Sequence, residues 1–337
     1  LSRVVETLSE HVILPICFDM RLGQIIAQTL IEHRMEDIYL SLFSFDGSEV
    51  YPVKGTSFES VLANNAFAIP LAKGPECLFV LSESDKTASV LKPHAFKPIE
   101  LKMKPISQKT GMSVAILGKN NKLQSILDTF SAYQDIHQST FDARWVDEHD
   151  IVTLAKELNA NTGKMSVLLL SDESQEADVL DANVINNLIY LEGHVSNPDL
   201  TMIVELLNPR NDPIVKDFSI KNTIISNRII SLLLSKLALY KETAPFYENL
   251  LTVERNDQGK DDQSVFIKKA SDMFDMAFPL QFRSVKQFVE SVYRASQRQV
   301  IPFARYKDGV LEVFEGDMHA PSDFAVLADD DIVLMAL

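Results

Sequence analysis

The chain has 337 residues, which is enough for two or three domains, and a hydrophobic content of 46% can supply well-formed cores. Its formal net charge of −15 argues against a nucleic-acid partner, because a nucleic-acid binder carries a basic stripe. Cys17 and Cys77 lie far apart in apolar settings, which predicts free thiols in a reducing compartment. The sequence contains no metal-binding spacing of cysteine and histidine.

The first part of the chain predicts a helix followed by a small mixed lobe. Residues 21–34 place apolar side chains on one helical face. Residues 38–53 predict two strands around the hairpin dipeptide Asp46-Gly47, and 76–84 predict a hydrophobic strand. The lysine- and proline-rich stretch that follows, to residue 110, predicts a linker or an extended surface strap.

A second unit alternates strands with helices. The apolar runs 113–117, 165–171 and 201–207 predict strands, and the second of them is typical of a buried parallel strand. Amphipathic helical sequence separates these runs, beginning with 121–133. This alternation predicts βαβ units and a parallel sheet.

The stretch VAILGKNNKL, residues 114–123, looks like the opening strand and loop of a dinucleotide-binding unit. Only Gly118 is present, and Asn120 and Leu123 stand where a G-x-G-x-x-G loop has its second and third glycines. Those glycines allow a pyrophosphate to approach the backbone closely. We therefore expect no dinucleotide here, and we predict that Asn120 or Asn121 is a plain cap of the next helix.

Helical sequence then runs from about 219 to 251. Residues 224–240 are apolar on nearly all sides, so this helix must be buried all round. Packing against another subunit or a neighbouring unit would achieve that, and a purely intradomain core helix is the alternative. Arg228 and Lys236 interrupt the apolar run, which falls short of a membrane span.

Two parts of the chain repeat each other. SFESVLANNAFAIPLAKG (57–74) aligns with SVKQFVESVYRASQRQVIPFARYKDG (284–309). Both predict a helix, then Ile-Pro, then Leu or Phe, then Ala, and both lead to a hydrophobic strand. The order is therefore lobe, linker, α/β sheet, helical crossover and lobe.

That order resembles a pair of RCK (TrkA-like) regulatory domains, and the chain is similar to the Castor/Pollux family of ion channels. Four segments carry the resemblance: LGQIIAQTLIEH (22–33), VLLLSDES (167–174), IVELLNPRND (203–212) and IISNRIISLLLSKLA (224–238).

The resemblance implies an α/β fold, with a Rossmann-like parallel sheet (RCK N-lobe type), a helical crossover and small α+β TrkA-C-like lobes. It divides the chain into 1–95, the C-terminal part of a first RCK unit with crossover helices and a small lobe; 96–110, a linker; 111–210, the Rossmann-like sheet of a second RCK unit; 211–260, the helical crossover; and 261–337, the C-terminal α+β lobe.

The resemblance also implies a function. The chain would be the cytoplasmic gating-ring region of a cation channel, potassium being one cation in question. It would be non-enzymatic and would self-associate as a dimer or a tetrameric ring. It would couple the binding of an ion or small ligand, Ca²⁺ being one known class, to the opening of a pore. The chain begins at Leu1 without Met, so we expect a fragment from which the pore and most of the first sheet are missing.

Acidic residues at predicted strand ends are the candidate sensor. Asp172 and Glu173 follow one strand, and Glu205 sits near the end of another. Acidic residues also crowd the end of the second predicted strand: Asp142, Asp147, Glu148 and Asp150. Hard oxygen ligands suit Ca²⁺, so the predicted metal ligands are Asp172, Glu173, Glu205 and Asp142. The alternative is that Asp172 and Glu173 cap the helix that follows.

Three other functions stay open. One is a nucleotide-binding TrkA-like regulatory subunit of a potassium transporter, and another is an NAD-dependent oxidoreductase on the same sheet. The missing glycines count against both, and no catalytic constellation is evident. The third is a pure interaction scaffold. For Asp329-Asp330-Asp331 we predict turn chemistry rather than a metal site.

Overall fold

The structure is a computed structural model. It describes residues 17–337 except 33, 94–95, 162, 164, 172–176, 198, 217, 219–221 and 254–263.

The first part forms two helices and a small antiparallel lobe, called lobe A. Its elements are α1 (Phe18–Ile31), α2 (Met35–Phe43), β1 (Glu49–Val53), α3 (Phe58–Asn64), β2 (Ala68–Lys73), β3 (Leu78–Ser82) and α4 (Asp85–Ala88). The sheet order is β1-β3-β2, and both ladders are antiparallel.

The predicted hairpin at 38–53 is wrong in its first half, because α2 stands where a strand was expected. Met35, Ile38, Tyr39, Leu42 and Phe43 are all buried, and they recur with the period of a helix face. The run precedes the hairpin dipeptide Asp46-Gly47, which favours a strand, but apolar residues this dense fit either period.

The middle of the chain forms a parallel sheet. Its elements are β4 (Gly111–Leu117), α5 (Leu123–His137), β5 (Thr140–Val146), α6 (Ile151–Ala160), β6 (Met165–Leu169), α7 (Ala177–His194), β7 (Leu200–Leu206), α8 (Asp212–Lys216) and β8 (Asn222–Ile225). The strand order is β5-β4-β6-β7-β8, and every ladder is parallel. This confirms the predicted α/β class with its parallel sheet.

Strand β8 corrects the prediction of continuous helix from 219. Thr223, Ile224 and Ile225 are β-branched and pair beside β7, so the sheet continues past residue 210. The crossover helices follow as α9 (Ser226–Leu239) and α10 (Ala244–Leu251). Within this chain α9 is buried on one face only, since Leu239 is 68% exposed and Leu234 is 36% exposed.

The last part forms lobe B. Its elements are β9 (Val265–Lys269), α11 (Ala270–Met273), β10 (Leu280–Phe282), α12 (Val285–Ala295), β11 (Val300–Lys307), β12 (Val310–Val313), β13 (Phe324–Val326) and β14 (Asp331–Ala336). The larger sheet has the order β12-β11-β14-β9 and is antiparallel, and β10 pairs with β13. The predicted hairpin at Asp308-Gly309 is confirmed.

The structure confirms the internal repeat in detail. Ser57 caps α3 and Ser284 caps α12, each through its side-chain oxygen. The strand after each helix changes register at the repeated Pro, between Pro70 and Ala72 in β2 and between Pro302 and Ala304 in β11. Proline has no N–H for the ladder, so a bulge at the same place in both copies follows from the shared Ile-Pro.

The cap of α12 gives a first prediction. Ser284 is fully buried and its hydroxyl accepts the backbone N–H of Gln287 at 3.1 Å. S284A should lower the free energy of unfolding by about 1 kcal/mol, since a helix N-cap contributes that much. Urea unfolding measures the change, with S322A at an exposed serine as the control. Equal stability of the two variants would contradict the capping role.

Lobes A and B pack on each other through their repeated parts. The rings of Phe58 and Tyr293 stack with centroids 6.0 Å apart, and Arg298 pairs with Glu59 at 3.0 Å. The predicted strap runs along lobe B, where the N–H of Ile99 donates to Ser291. Further backbone bonds join the strap to lobe B near α11, from Lys104 to Met273 and from Asp275 to Lys102.

Candidate functional site

The carboxyl ends of β4, β6 and β7 meet in one polar group, which we call the strand-end cluster: Asn120, Lys122, Ser171 and Glu205. In open α/β sheets, ligands bind outside the carboxyl ends of the strands. This edge is therefore where the fold would place a site.

Glu205 is the centre of the cluster and has no exposed surface. Its Oε1 lies 3.2 Å from Nζ of Lys122, whose side chain is also buried. Its Oε2 accepts from Nδ2 of Asn120 at 3.0 Å and from the N–H of Ser171 at 3.3 Å. A buried charge needs such partners, because burial without them costs several kcal/mol.

Asn120 joins the strand ends rather than capping α5. Its Oδ1 accepts the N–H of Lys122 at 3.0 Å, and its Nδ2 also donates to the carbonyl of Ser171 at 2.9 Å. Helix α5 begins at Leu123 and has no side-chain cap. The predicted capping role is therefore wrong: the amide closes a turn before the helix, and its other end reaches β6 and β7.

Gly118 is required by the protein's own packing. Its φ is +91°, and a Cβ there would lie 2.4 Å from the carbonyl oxygen of Leu170. Glycine at position 118 thus lets the backbone that follows β6 come close to the loop that follows β4. The same backbone freedom is what a phosphate loop requires, so sequence alone could not separate the two roles.

The neighbouring strand end carries Trp145 and Asp147. The indole Nε1 of Trp145 donates to the carbonyl of Gly118 at 3.0 Å, while the side chain remains 48% exposed. His149 donates its backbone N–H to Asp147 at 3.0 Å, and its Nδ1 lies 2.6 Å from the same oxygen. These contacts, the backbone hydrogen bond first, lower the pKa of Asp147. A carboxylate held ionised two residues from an exposed indole can accept hydrogen bonds from the hydroxyl groups of a ligand.

The structure separates the predicted metal ligands that it describes. Glu205 lies in the strand-end cluster, bound by Lys122. Asp142 is exposed near the start of β5, opposite Ser113, whereas the carboxyl end of that strand is Val146. Asp172 and Glu173 lie outside the described residues. Over the described ranges, no group of three acidic, histidine or cysteine side chains could hold a metal ion. The Ca²⁺ set stays a prediction.

Asp329 lies in the turn before β14, Asp330 follows it and Asp331 begins that strand, so the predicted turn is confirmed at the start of the run. Asp330 accepts the N–H of Leu327 at 3.0 Å and lies 3.5 Å from Arg305. Asp331 pairs with Arg34 at 3.2 Å, which fixes the junction of α1 and α2 to lobe B.

Sequence reasoning missed Lys122 and Trp145. A lysine just before a helix is ordinarily exposed, and only the buried Glu205 across the sheet explains why this one is not. Trp145 lies on a strand with no clear alternation, so the sequence does not show which way its ring faces. The acidic residue directly after the strand, Asp147, was the available signal.

In the part of the chain that the structure describes, none of the helices is both long and apolar enough to cross a membrane.

Comparison with known proteins gives structural similarity alone. No protein-family model and no curated protein matches the chain. Among solved structures it is similar to the GsuK RCK domain, with 11% identity and a TM-score of 0.35 over 99% of this chain and 70% of that one.

Two further solved structures are similar. The GsuK channel bound to NAD has 11% identity and a TM-score of 0.30, over 93% of this chain and 55% of that one. The GsuK channel has 9% identity and a TM-score of 0.31, over 94% of this chain and 55% of that one. TM-scores this low do not establish what this chain binds. The first of the three carries the RCK name, and none supports the Castor/Pollux family specifically.

The expectation that no dinucleotide binds is wrong as it was argued. It rested on the missing second and third glycines of VAILGKNNKL, yet a chain similar to this one is a channel bound to NAD. The absence of those glycines is therefore no ground for excluding a dinucleotide.

Proposed function

We propose that this chain is a non-enzymatic, ligand-sensing regulatory region of the RCK gating-ring type, working on a cation channel whose pore is outside it. The observation that carries the proposal is the duplicated small lobe, with its repeated Ile-Pro bulge, which occurs before and after a parallel sheet in the chain. The chain joins the sheet to both lobes, so ligand binding at its strand ends can act on them. Castor/Pollux channels remain the family we propose.

Self-association, as a dimer or a tetrameric ring, is part of the proposal. Leu234 and Leu239 on the outer face of α9 are exposed within one chain, and covering them would bury apolar surface. Sedimentation of the whole chain tests this at several concentrations. A monomer throughout would argue against a ring formed by this part alone.

A nucleotide is the second ligand candidate, and Asp147 is the observation that favours it. Dinucleotide-binding sheets use an acidic residue near the end of the second strand to bind the ribose hydroxyls. Here Asp147 directly follows β5, beside the exposed ring of Trp145. Ca²⁺ is the first candidate, and Asp172 and Glu173 are the predicted ligands to test, because Glu205 is paired with Lys122 and Asp142 lies near the other end of its strand.

Thermal unfolding separates the candidates, because a ligand that binds only the native state raises the midpoint. The chain is heated with millimolar Ca²⁺, with Mg²⁺ or EDTA, and with NADH or ATP. A rise specific to Ca²⁺ supports the ion sensor, and a rise with a nucleotide alone supports the second candidate. No shift with any of these would favour the scaffold.

Two matched variants then locate the site. D142N and D147N make the same change of charge at opposite ends of β5. Asp142 lies near the start of the strand, and Asp147 directly follows its last residue. We expect D147N to lower nucleotide affinity at least tenfold and D142N to leave it unchanged. For Ca²⁺, D172N with E173Q should weaken binding. Unchanged nucleotide affinity in D147N, or unchanged Ca²⁺ affinity in D172N with E173Q, would contradict the site proposed for that ligand.

A further inference from the structure

Lys286 lies at the contact between the two lobes. It sits in the first turn of α12 and has no exposed surface, and its Nζ donates to the carbonyl oxygen of Ala68 at the start of β2. Its backbone N–H donates to the carbonyl of Met318 at 3.0 Å, and the N–H of Met318 donates to Ala66 at 2.9 Å. One residue of lobe B therefore reaches the same short segment of lobe A by its side chain and through Met318.

Carboxylates on α12 itself and on the facing helix α3 also bond to arginines. Glu290, one turn along α12, accepts from Nε of Arg294 at 3.0 Å and from its Nη2 at 2.6 Å. From the facing helix α3, Glu59 accepts from the hydroxyl of Tyr293 at 3.3 Å and pairs with Arg298.

The loop and the strap that pack beside α12 also carry charged groups, and Glu100 of the strap is exposed to solvent. Asp317 in the loop pairs with Lys92 of the strap, and His319 follows it, nearly buried. Lys97 offers α12 its backbone carbonyl, which accepts from Gln287. Burial lowers the pKa of Lys286 to about 7, and the charge of Glu290 opposes this shift only in part.

We propose that Lys286 makes the contact between lobes A and B sensitive to protons, so that the contact tightens as the amine loses its charge. The neutral amine keeps its N–H groups, so it still donates to Ala68. What it loses is the energetic cost of a buried, weakly balanced charge. The inference stands on the lobe contact and does not require the proposed channel.

The sign follows from linkage. When the lobes separate, Lys286 is hydrated and returns to a pKa of about 10.5, so docking releases a proton above about pH 7. The docking equilibrium therefore rises with pH from about 7 to about 10.5, by at most about tenfold per pH unit. Below pH 7 the amine is charged in both states and the dependence levels off.

Hydrogen exchange on the whole chain tests this. The protection of amides 66–72 is divided by that of amides 111–117 at each pH, which removes the intrinsic pH dependence of exchange. Between pH 7.5 and 8.5 we expect the ratio to rise several-fold in the natural chain and in K307M, an exposed lysine on β11. It should stay flat in K286M. A flat ratio in the natural chain, or an equal rise in K286M, overturns the proposal.

A second measurement follows the titration in the natural chain itself. With ¹³C at the lysine ε carbon, NMR should show a lysine of the natural chain that titrates near pH 7. Its signal should be absent from K286R, which retains a permanent charge. If every lysine signal titrates above pH 9.5, or if the low-pH signal persists in K286R, the proposal fails.

Discussion

K122M is expected to lower the free energy of unfolding by about 3–5 kcal/mol, because it removes the ammonium group that pairs with the buried carboxylate of Glu205. Glu205 keeps the N–H groups of Asn120 and Ser171, but neither carries a positive charge. Urea unfolding followed by the fluorescence of Trp145 measures the loss. Trp145 is the only tryptophan in the chain and is bonded to the loop beside Lys122.

A surface ion pair on the same sheet supplies the control. Arg144 and Glu157 are paired with side chains 48% and 44% exposed, so R144M should cost less than about 1 kcal/mol. In the double variant K122M with E205Q, removing the buried charge should restore much of the stability. If K122M costs no more than R144M, the strand-end cluster does not hold the sheet edge together.

The repeat shows what sequence could establish about the fold. Ile-Pro in both copies predicted equivalent helix–strand units, and the structure gives each one a serine cap and a bulge at the Pro. Such features are local, so a single sequence contains them. The alternation of the middle segment predicted the parallel sheet for the same reason.

The misplaced elements have a common physical cause. Residues 35–43 are dense in apolar side chains, and 222–225 (Asn-Thr-Ile-Ile) are too few to show a period, so neither the helical nor the strand period stands out. The structure resolves them by long-range packing: α2 contacts α9, and β8 pairs with the edge of β7. A single sequence carries no direct record of such contacts.

The site was harder to predict than the fold, because it depends on register and on pairs distant in sequence. Asp142 was placed at a strand end, but the start of β5 at Thr140 moves it to the other end of the strand. The partner of Glu205 is Lys122, more than eighty positions earlier in the chain. Neither relation follows from spacing.

Lys236 shows the same limit within α9. In the sequence it interrupts an apolar helix, yet in the structure it is buried and pairs with Glu49 of β1, beneath the ring of Phe45 at 4.1 Å. Burial lowers its pKa, while the hydrogen bond to Glu49 opposes that shift. The crossover helix is thus tied to lobe A by a charge pair rather than by apolar packing alone. In the proposed regulatory function, this pair connects the helix that follows the sheet to lobe A.

Gly118 gives the second large effect. In G118A the new Cβ would lie 2.4 Å from the carbonyl oxygen of Leu170, and the backbone at φ +91° disfavours any side chain. We expect the strain of this backbone conformation to cost about 1–2 kcal/mol and the overpacking to add about 1–3 kcal/mol. Urea unfolding followed by Trp145 reads the change, since its indole donates to Gly118 itself.

Gly309 separates the two contributions. It turns the β11–β12 hairpin at φ +80°, and a Cβ there would meet nothing within 4 Å. G309A therefore carries the backbone strain without the clash, and it should cost only about 1–2 kcal/mol. The difference between the variants measures how tightly the chain leaving β6 packs against the loop after β4. If G118A and G309A are equally stable, that edge can open, and there is room at Gly118 for a ligand phosphate.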